Sequence, residues 1–212
     1  MSFLNNIFGK KHSEEKNSST TKPRNEVADF SIKNTSPKRN EEELIKSLNS
    51  ISSEAKVNDI TLDLLLTSLR DNGDYRIRYQ AANALYWQAK NHNVKPIAAI
   101  EPLISLLKDD FYSSRKVAAL ALAFIGVKSA VEPIVQALDD EYLGNTNPGP
   151  INMIGDRVVD DQNVYVRSCM VRALGILQDS RATNILTEKA LNDKSIDVQK
   201  EAKEALIRIK SI

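Results

Sequence analysis

The residues able to do chemistry in this 212-residue chain are few and scattered. It has two histidines, His12 and His92, and one cysteine, Cys169. His12 sits in a polar N-terminal stretch and His92 between two helical segments. Neither has a carboxylate or nucleophile placed around it by local sequence, and no HExxH pair, glycine-rich phosphate loop or nucleophile elbow occurs. Cys169 falls on an alanine-rich packing helix, where a buried, inert thiol is expected rather than a nucleophile. The acidic residues Asp139, Asp140, Glu141, Asp156, Asp160 and Asp161 could converge on a cation, but their spacing is not that of an EF-hand. Helix capping and solubility explain them more cheaply. The expectation is therefore no metal, no cofactor and no catalytic residue, and binding rather than catalysis.

Composition narrows the classes further. A formal charge of +1 supplies no field strong enough by itself to hold nucleic acid or a membrane. With 42% hydrophobic residues but only seven glycines and seven prolines, the chain is neither collagen-like nor wholly disordered, nor a turn-dense β-barrel. A lone cysteine closes no intrachain disulfide, which fits a reducing, cytoplasmic setting. The apolar residues Phe3, Leu4, Ile7 and Phe8 are interrupted by Asn5 and Asn6, unlike a secretory signal, and Ser2 excludes N-myristoylation.

Residues 1–40 read as a disordered tail, basic in balance and rich in Ser, Thr, Asn and Lys, with almost no apolar periodicity to offset the entropy of ordering. Within it, residues 2–11 form a short amphipathic segment with Lys10 and Lys11 after the apolar arc. It is either a docking helix for a partner, a membrane surface or the chain's own body, or a frayed tail.

The body, residues 41–212, carries a repeat. The segments starting at Arg78, Arg115, Arg167 and Gln199 align without gaps on R-x-x-A-A-x-A-L. Six residues before each stands Asn72, Asp109, Asp161 or Asp193, suited to the turn and N-cap of a second helix. The first helix of the unit is most legible at Ala99-Ile-Glu-Pro-Leu-Ile104 and Ala130-Val-Glu-Pro-Ile-Val135, with Pro102 and Pro133 in first-turn positions that need no amide donor. Such hairpins bury their apolar stripes only by stacking. An all-α fold, a right-handed α-solenoid of stacked helical hairpins, is predicted, with Glu41 to Ser52 as a cap. The alanines allow close helix approach, and Leu85, Leu122, Leu174 and Leu206 fill the seam. In the third unit the first helix is expected to end at Asp139-Asp140. A glycine- and proline-bearing insertion, residues 141–160, then makes an extended surface loop.

These motifs resemble HEAT repeats of the short class associated with phycobilisome lyases, whose pattern includes V-E-P-L-I and A-L-G-x-I-G; the resemblance spans roughly residues 60 to 210. It implies the solenoid fold. Arg78-Tyr-Gln-Ala-Ala82 and Ala137-Leu-Asp-Asp-Glu141 followed by an insertion are similar to the E/F-type bilin lyases, which implies a bilin lyase or biliprotein chaperone as an alternative function.

In such hairpins the second helices line the concave wall. Counting from the repeated arginine places Asn83, Trp87, Leu120, Phe124, Arg172 and Ile176 on it, an apolar strip with an arginine beside it, as at the centre of a protein-binding patch. The leading reading is an adaptor or scaffold with a protein partner in the concave groove. Arg78, Arg115 and Arg167 recur at equivalent positions and are expected to form a structural ladder to carboxylates or helix-end carbonyls of the next unit. Because the body is net acidic and lacks a basic stripe, no nucleic acid is expected.

Overall fold

A computed structural model describes residues 37–53, 57–71, 73–144, 153–154, 157–158 and 162–211. The amphipathic segment 2–11 and the tail as far as residue 36 lie outside the described residues. Helix α1 (Pro37–Ile51) starts four residues ahead of the expected Glu41, so the end of the proposed tail is helical.

Beyond α1 the helices alternate between two layers. Helices α2 (Asp59–Leu69), α4 (Ile100–Leu106), α6 (Val131–Leu143) and α8 (Thr183–Glu188) form one layer, and α3 (Tyr75–His92), α5 (Tyr112–Ile125), α7 (Gln162–Leu177) and α9 (Ile196–Lys210) the other. Each of the latter four packs on the helix before it in its own unit, and α3, α5, α7 and α9 stack on one another in sequence, with α1 against α3. This is the stacked-hairpin solenoid that the repeat requires.

The repeated alanines explain how the inner layer closes. Ala81, Ala82, Ala84, Ala118, Ala119, Ala121, Ala173, Ala202 and Ala205 are each at most 1% exposed, and Leu85, Leu122 and Leu174 are fully buried between them. Leu206, expected to be equivalent, is only half-buried, because no described helix packs on the far side of α9. Gly175 marks the tightest approach: a Cβ built there would lie 2.8 Å from both Cα and Cβ of Ala205. A buried polar tie joins α3 to the cap, where Gln88 Nε2 donates to the Ile51 carbonyl at 3.0 Å and Gln88 Oε1 accepts from the Val57 amide at 3.3 Å.

The repeat also fixes helix ends. Single 3₁₀ turns at Ile97–Ala99, Lys128–Ala130 and Ser180–Ala182 lead into α4, α6 and α8, each ending on a fully buried alanine. Helix α5 stops at Gly126, whose φ of 83° is the left-handed conformation that glycine adopts without strain. Asp109 and Asp193 prove to be turn residues rather than N-caps. Their carboxylates accept from the amides of Phe111 and Ser195, two residues on, and those residues occupy the N-cap positions. Asn72 and Asp161 lie outside the described residues.

Two departures concern the third unit. Helix α6 does not end at Asp139-Asp140 but continues to Leu143, because Glu141 is drawn into a buried ion pair and Tyr142 packs against the core. Within the insertion, β1 (Met153–Ile154) and β2 (Arg157–Val158) pair antiparallel, Met153 opposite Val158 and Ile154 opposite Arg157. This short ladder is the only strand pairing among the described residues.

Candidate partner-binding face

The three recurrent arginines each reach forward to the next hairpin. Arg78 Nε donates to Asp109 Oδ2 at 2.6 Å, and its other guanidinium arm to the Asp71 carbonyl at 3.0 Å. Arg115 Nε donates to Glu141 Oε1 at 2.7 Å, with further bonds to the carbonyls of Asp109 and Asp110 at 2.8 and 3.3 Å. Arg167 binds Asp193 through two bonds, at 2.7 and 3.2 Å. A planar fork of five donors suits this task of tying a carboxylate to helix-end carbonyls, which an ammonium could not reproduce.

Burial alone would push the Asp193 carboxyl up. Hydrogen bonds from Arg167 and from the Ser195 amide outweigh it and hold the carboxyl below its usual range. A depressed native pKa contributes stability that is present above the unfolded carboxylate value of about 3.9 and is lost as pH falls through the native one. Thermal melts between about pH 5 and pH 2 should therefore show a steeper acid-side loss for the native chain than for Asp193→Asn, although the variant melts lower at neutral pH.

On the other side of the inner layer lies a surface of rings and cations. Trp87, Phe124 and Ile176, one per successive helix, are half-buried, as is Asn83. Leu120, expected beside them as an anchor, is only 8% exposed and forms floor rather than contact surface, on a helix packed between α3 and α7. Arg172 does face solvent, but it is engaged: its guanidinium pairs with Glu201 of α9.

Sequence counting named Trp87 and Phe124 but missed Tyr86 and Lys90, which join them at the centre of this surface. Tyr86 lies 5.1 Å from Trp87 and 5.6 Å from Phe124, centroid to centroid. The Lys90 ammonium sits over all three rings, 4.9 Å from Trp87, 5.4 Å from Tyr86 and 5.9 Å from Phe124, and donates to the Tyr86 hydroxyl at 3.1 Å. About two and three turns earlier, α3 bears Tyr79 and Tyr75, which meet Phe111 at 5.8 and 4.5 Å, and Phe111 meets Tyr112 at 5.2 Å. Helical spacing from Trp87 would have found Tyr79 and Lys90; only the pairing of α3 with α5 brings in Phe111.

Cys169 is partly exposed beside this face. Burial pushes its thiol up, with Glu201 adding to that, against the opposing pull of Lys116 and Arg172. Iodoacetamide should accordingly modify it more slowly in the folded chain at neutral pH than in urea, followed by mass spectrometry; equal rates would show an activated thiol. Three of the six acidic residues singled out from the sequence are described. Glu141 is tied to Arg115, Asp139 pairs with Lys189, and no three His, Cys, Asp or Glu side chains converge among the described residues. Asp156, Asp160 and Asp161 lie outside them. No described helix is long and apolar enough to cross a membrane.

A curated relative, the phycocyanobilin lyase subunit alpha of Picosynechococcus sp., is 29% identical over 106 residues, which amount to 46% of this chain and 38% of that protein. The chain thus matches well under half of that relative's length. Among solved structures, an engineered protein is 25% identical over 80% of this chain and 44% of its own, with a TM-score of 0.41. A designed armadillo repeat protein in complex with the peptide (KR)4 is 21% identical, covering 80% of this chain and 76% of its own, with a TM-score of 0.47. Residues 114–140, which cover most of α5 and most of α6, match the family described as PBS lyase HEAT-like repeat. Residues 114–140 are thus similar to a single PBS lyase HEAT-like repeat, set within a stack of similarly built helical hairpins.

Proposed function

We propose that the chain is a HEAT-repeat adaptor that seats a segment of a partner protein on the inner face of α3, α5 and α7. The observation that carries this reading is the half-exposed cluster of Tyr86, Trp87 and Phe124 with Ile176 beside it, large apolar side chains on a layer whose other side is already packed. Aromatic side chains of this kind, part buried and held by neighbours, are what concentrates binding energy at protein interfaces. The recurrent arginines serve as hairpin-to-hairpin ties that keep the face in shape.

Trp87→Ala is expected to weaken capture of the co-purifying partner by more than about tenfold while the helical circular dichroism is retained. Phe124 also packs against the core, so Asn83→Arg, which adds bulk on the face without emptying it, is the companion variant. Loss of binding by both, with melts near the native one, supports the reading; retention by both removes it.

A second reading draws on the likeness to a phycocyanobilin lyase subunit, with the same aromatic face accepting a tetrapyrrole. It requires a shift in bilin absorbance when the chain is mixed with free phycocyanobilin, lost in Trp87→Ala.

A further inference from the structure

Helices α3, α5 and α7 contain no aspartate or glutamate at all, whereas α1 contributes Glu41, Glu42 and Glu43 and α9 contributes Asp197, Glu201 and Glu204. The charge of the three middle inner helices is wholly basic. Three of their arginines, Arg78, Arg115 and Arg167, are consumed by carboxylates of the next hairpin. Arg76, at the start of α3, is paired with Asp74 and Glu42.

The rest converge on the aromatic face. Lys90 lies over Tyr86, Trp87 and Phe124. Lys116 lies over Tyr112, 5.9 Å from its centroid, and has Cys169 within electrostatic reach, as does Arg172; Arg172 in turn feels Tyr86. Rings and cations thus form two groups along α3 and α5, Lys90 with Tyr86, Trp87 and Phe124, and Lys116 with Tyr112 and Phe111, while Arg172 of α7 is paired with Glu201. Neither Lys90 nor Lys116 has a carboxylate within ion-pair distance among the described residues; Lys90 lies over three rings and donates to the Tyr86 hydroxyl, and Lys116 lies over Tyr112. Among the described residues the acidic side chains thus lie on α1, α9, the outer layer and the turns, and α3, α5 and α7 carry cations only.

From this complementarity we infer that the segment bound there is an acidic peptide, with carboxylates directed to Lys90 and Lys116 and an apolar or aromatic side chain set against Trp87 and Phe124. The inference rests on the adaptor reading and adds the partner's chemistry to it. Nucleic acid is the less suitable polyanion. The cations are spread singly among rings and aliphatic side chains rather than in a stripe that tracks a phosphate backbone.

Selection of a displayed library of random dodecapeptides on the full chain tests it. The expected result is enrichment of sequences that combine several Asp or Glu with an aromatic or large aliphatic residue. Their affinity should fall as salt rises, and the double reversal Lys90→Glu with Lys116→Glu should cost at least about tenfold while leaving the melt unchanged. Peptides that are neutral or basic, yet lost in Trp87→Ala, overturn the acidic assignment and leave the adaptor reading standing. Enrichment indifferent to Trp87→Ala, or none, overturns both. Tighter binding of oligothymidylate than of any selected peptide, abolished by the same reversals, assigns the face to nucleic acid and overturns it equally.

Discussion

Glu141→Ala should lower the unfolding free energy by about 3–5 kcal/mol, more than any surface substitution. The Arg115 and Glu141 side chains are 1% and 0% exposed, joined at 2.7 Å, and the guanidinium also holds the carbonyls that close the α4–α5 turn. Alanine removes the carboxylate and leaves a cation that cannot lose its proton in a site closed to water. The isosteric pair Arg115→Met with Glu141→Leu should cost less than Glu141→Ala alone, since guanidinium and carboxylate are removed together. Lys189 and Asp139, which pair in the same region, are 36% and 34% exposed, and Asp139→Ala should change stability by about 1 kcal/mol or less. Urea denaturation of the three variants orders these effects. A loss of under about 1 kcal/mol for Glu141→Ala would show that the tie is decorative.

Gly175→Ala is the second large effect, and its sign is opposite to intuition. Inside an exposed helix, alanine in place of glycine stabilises by about 0.5–1 kcal/mol. Here the new Cβ would fall 2.8 Å from Cα and Cβ of Ala205, so α7 and α9 must separate. A cost of about 1–3 kcal/mol is expected. Ala205→Gly removes one of the two opposing atoms and should rescue the variant only in part, because the Ala205 Cα remains. Full rescue would mean that the backbone yields more easily than close packing allows.

The alanine pattern made this architecture legible. A helix face that repeats R-x-x-A-A-x-A-L has only one way to bury its small residues, against the same face of a neighbour, and the recurrence of arginine at the head of each copy anticipated a shared partner in the following turn. Depth within the face was less legible. Leu120 and Phe124 lie one turn apart on α5, yet one is floor and the other surface, since exposure depends on what α3 and α7 present across from them. The Lys90 cluster was hidden for the same reason. A lysine near the end of α3 looks like a favourable charge at a helix C-terminus until α5 brings Phe124 beneath it. The reach of α6 past Asp140 was obscured because Glu141 and Tyr142 read as the polar start of a loop, while their long-range partners Arg115 and the core hold them in the helix.

Trp87 is the chain's single tryptophan, so its fluorescence reports on the proposed binding face and nowhere else. Titration with a co-purified partner, or with a selected acidic peptide, should shift Trp87 emission to shorter wavelength and shield it from iodide, with a midpoint equal to that found by calorimetry. Saturable heat of binding with the Trp87 emission and its quenching unchanged would place the partner elsewhere and contradict the account.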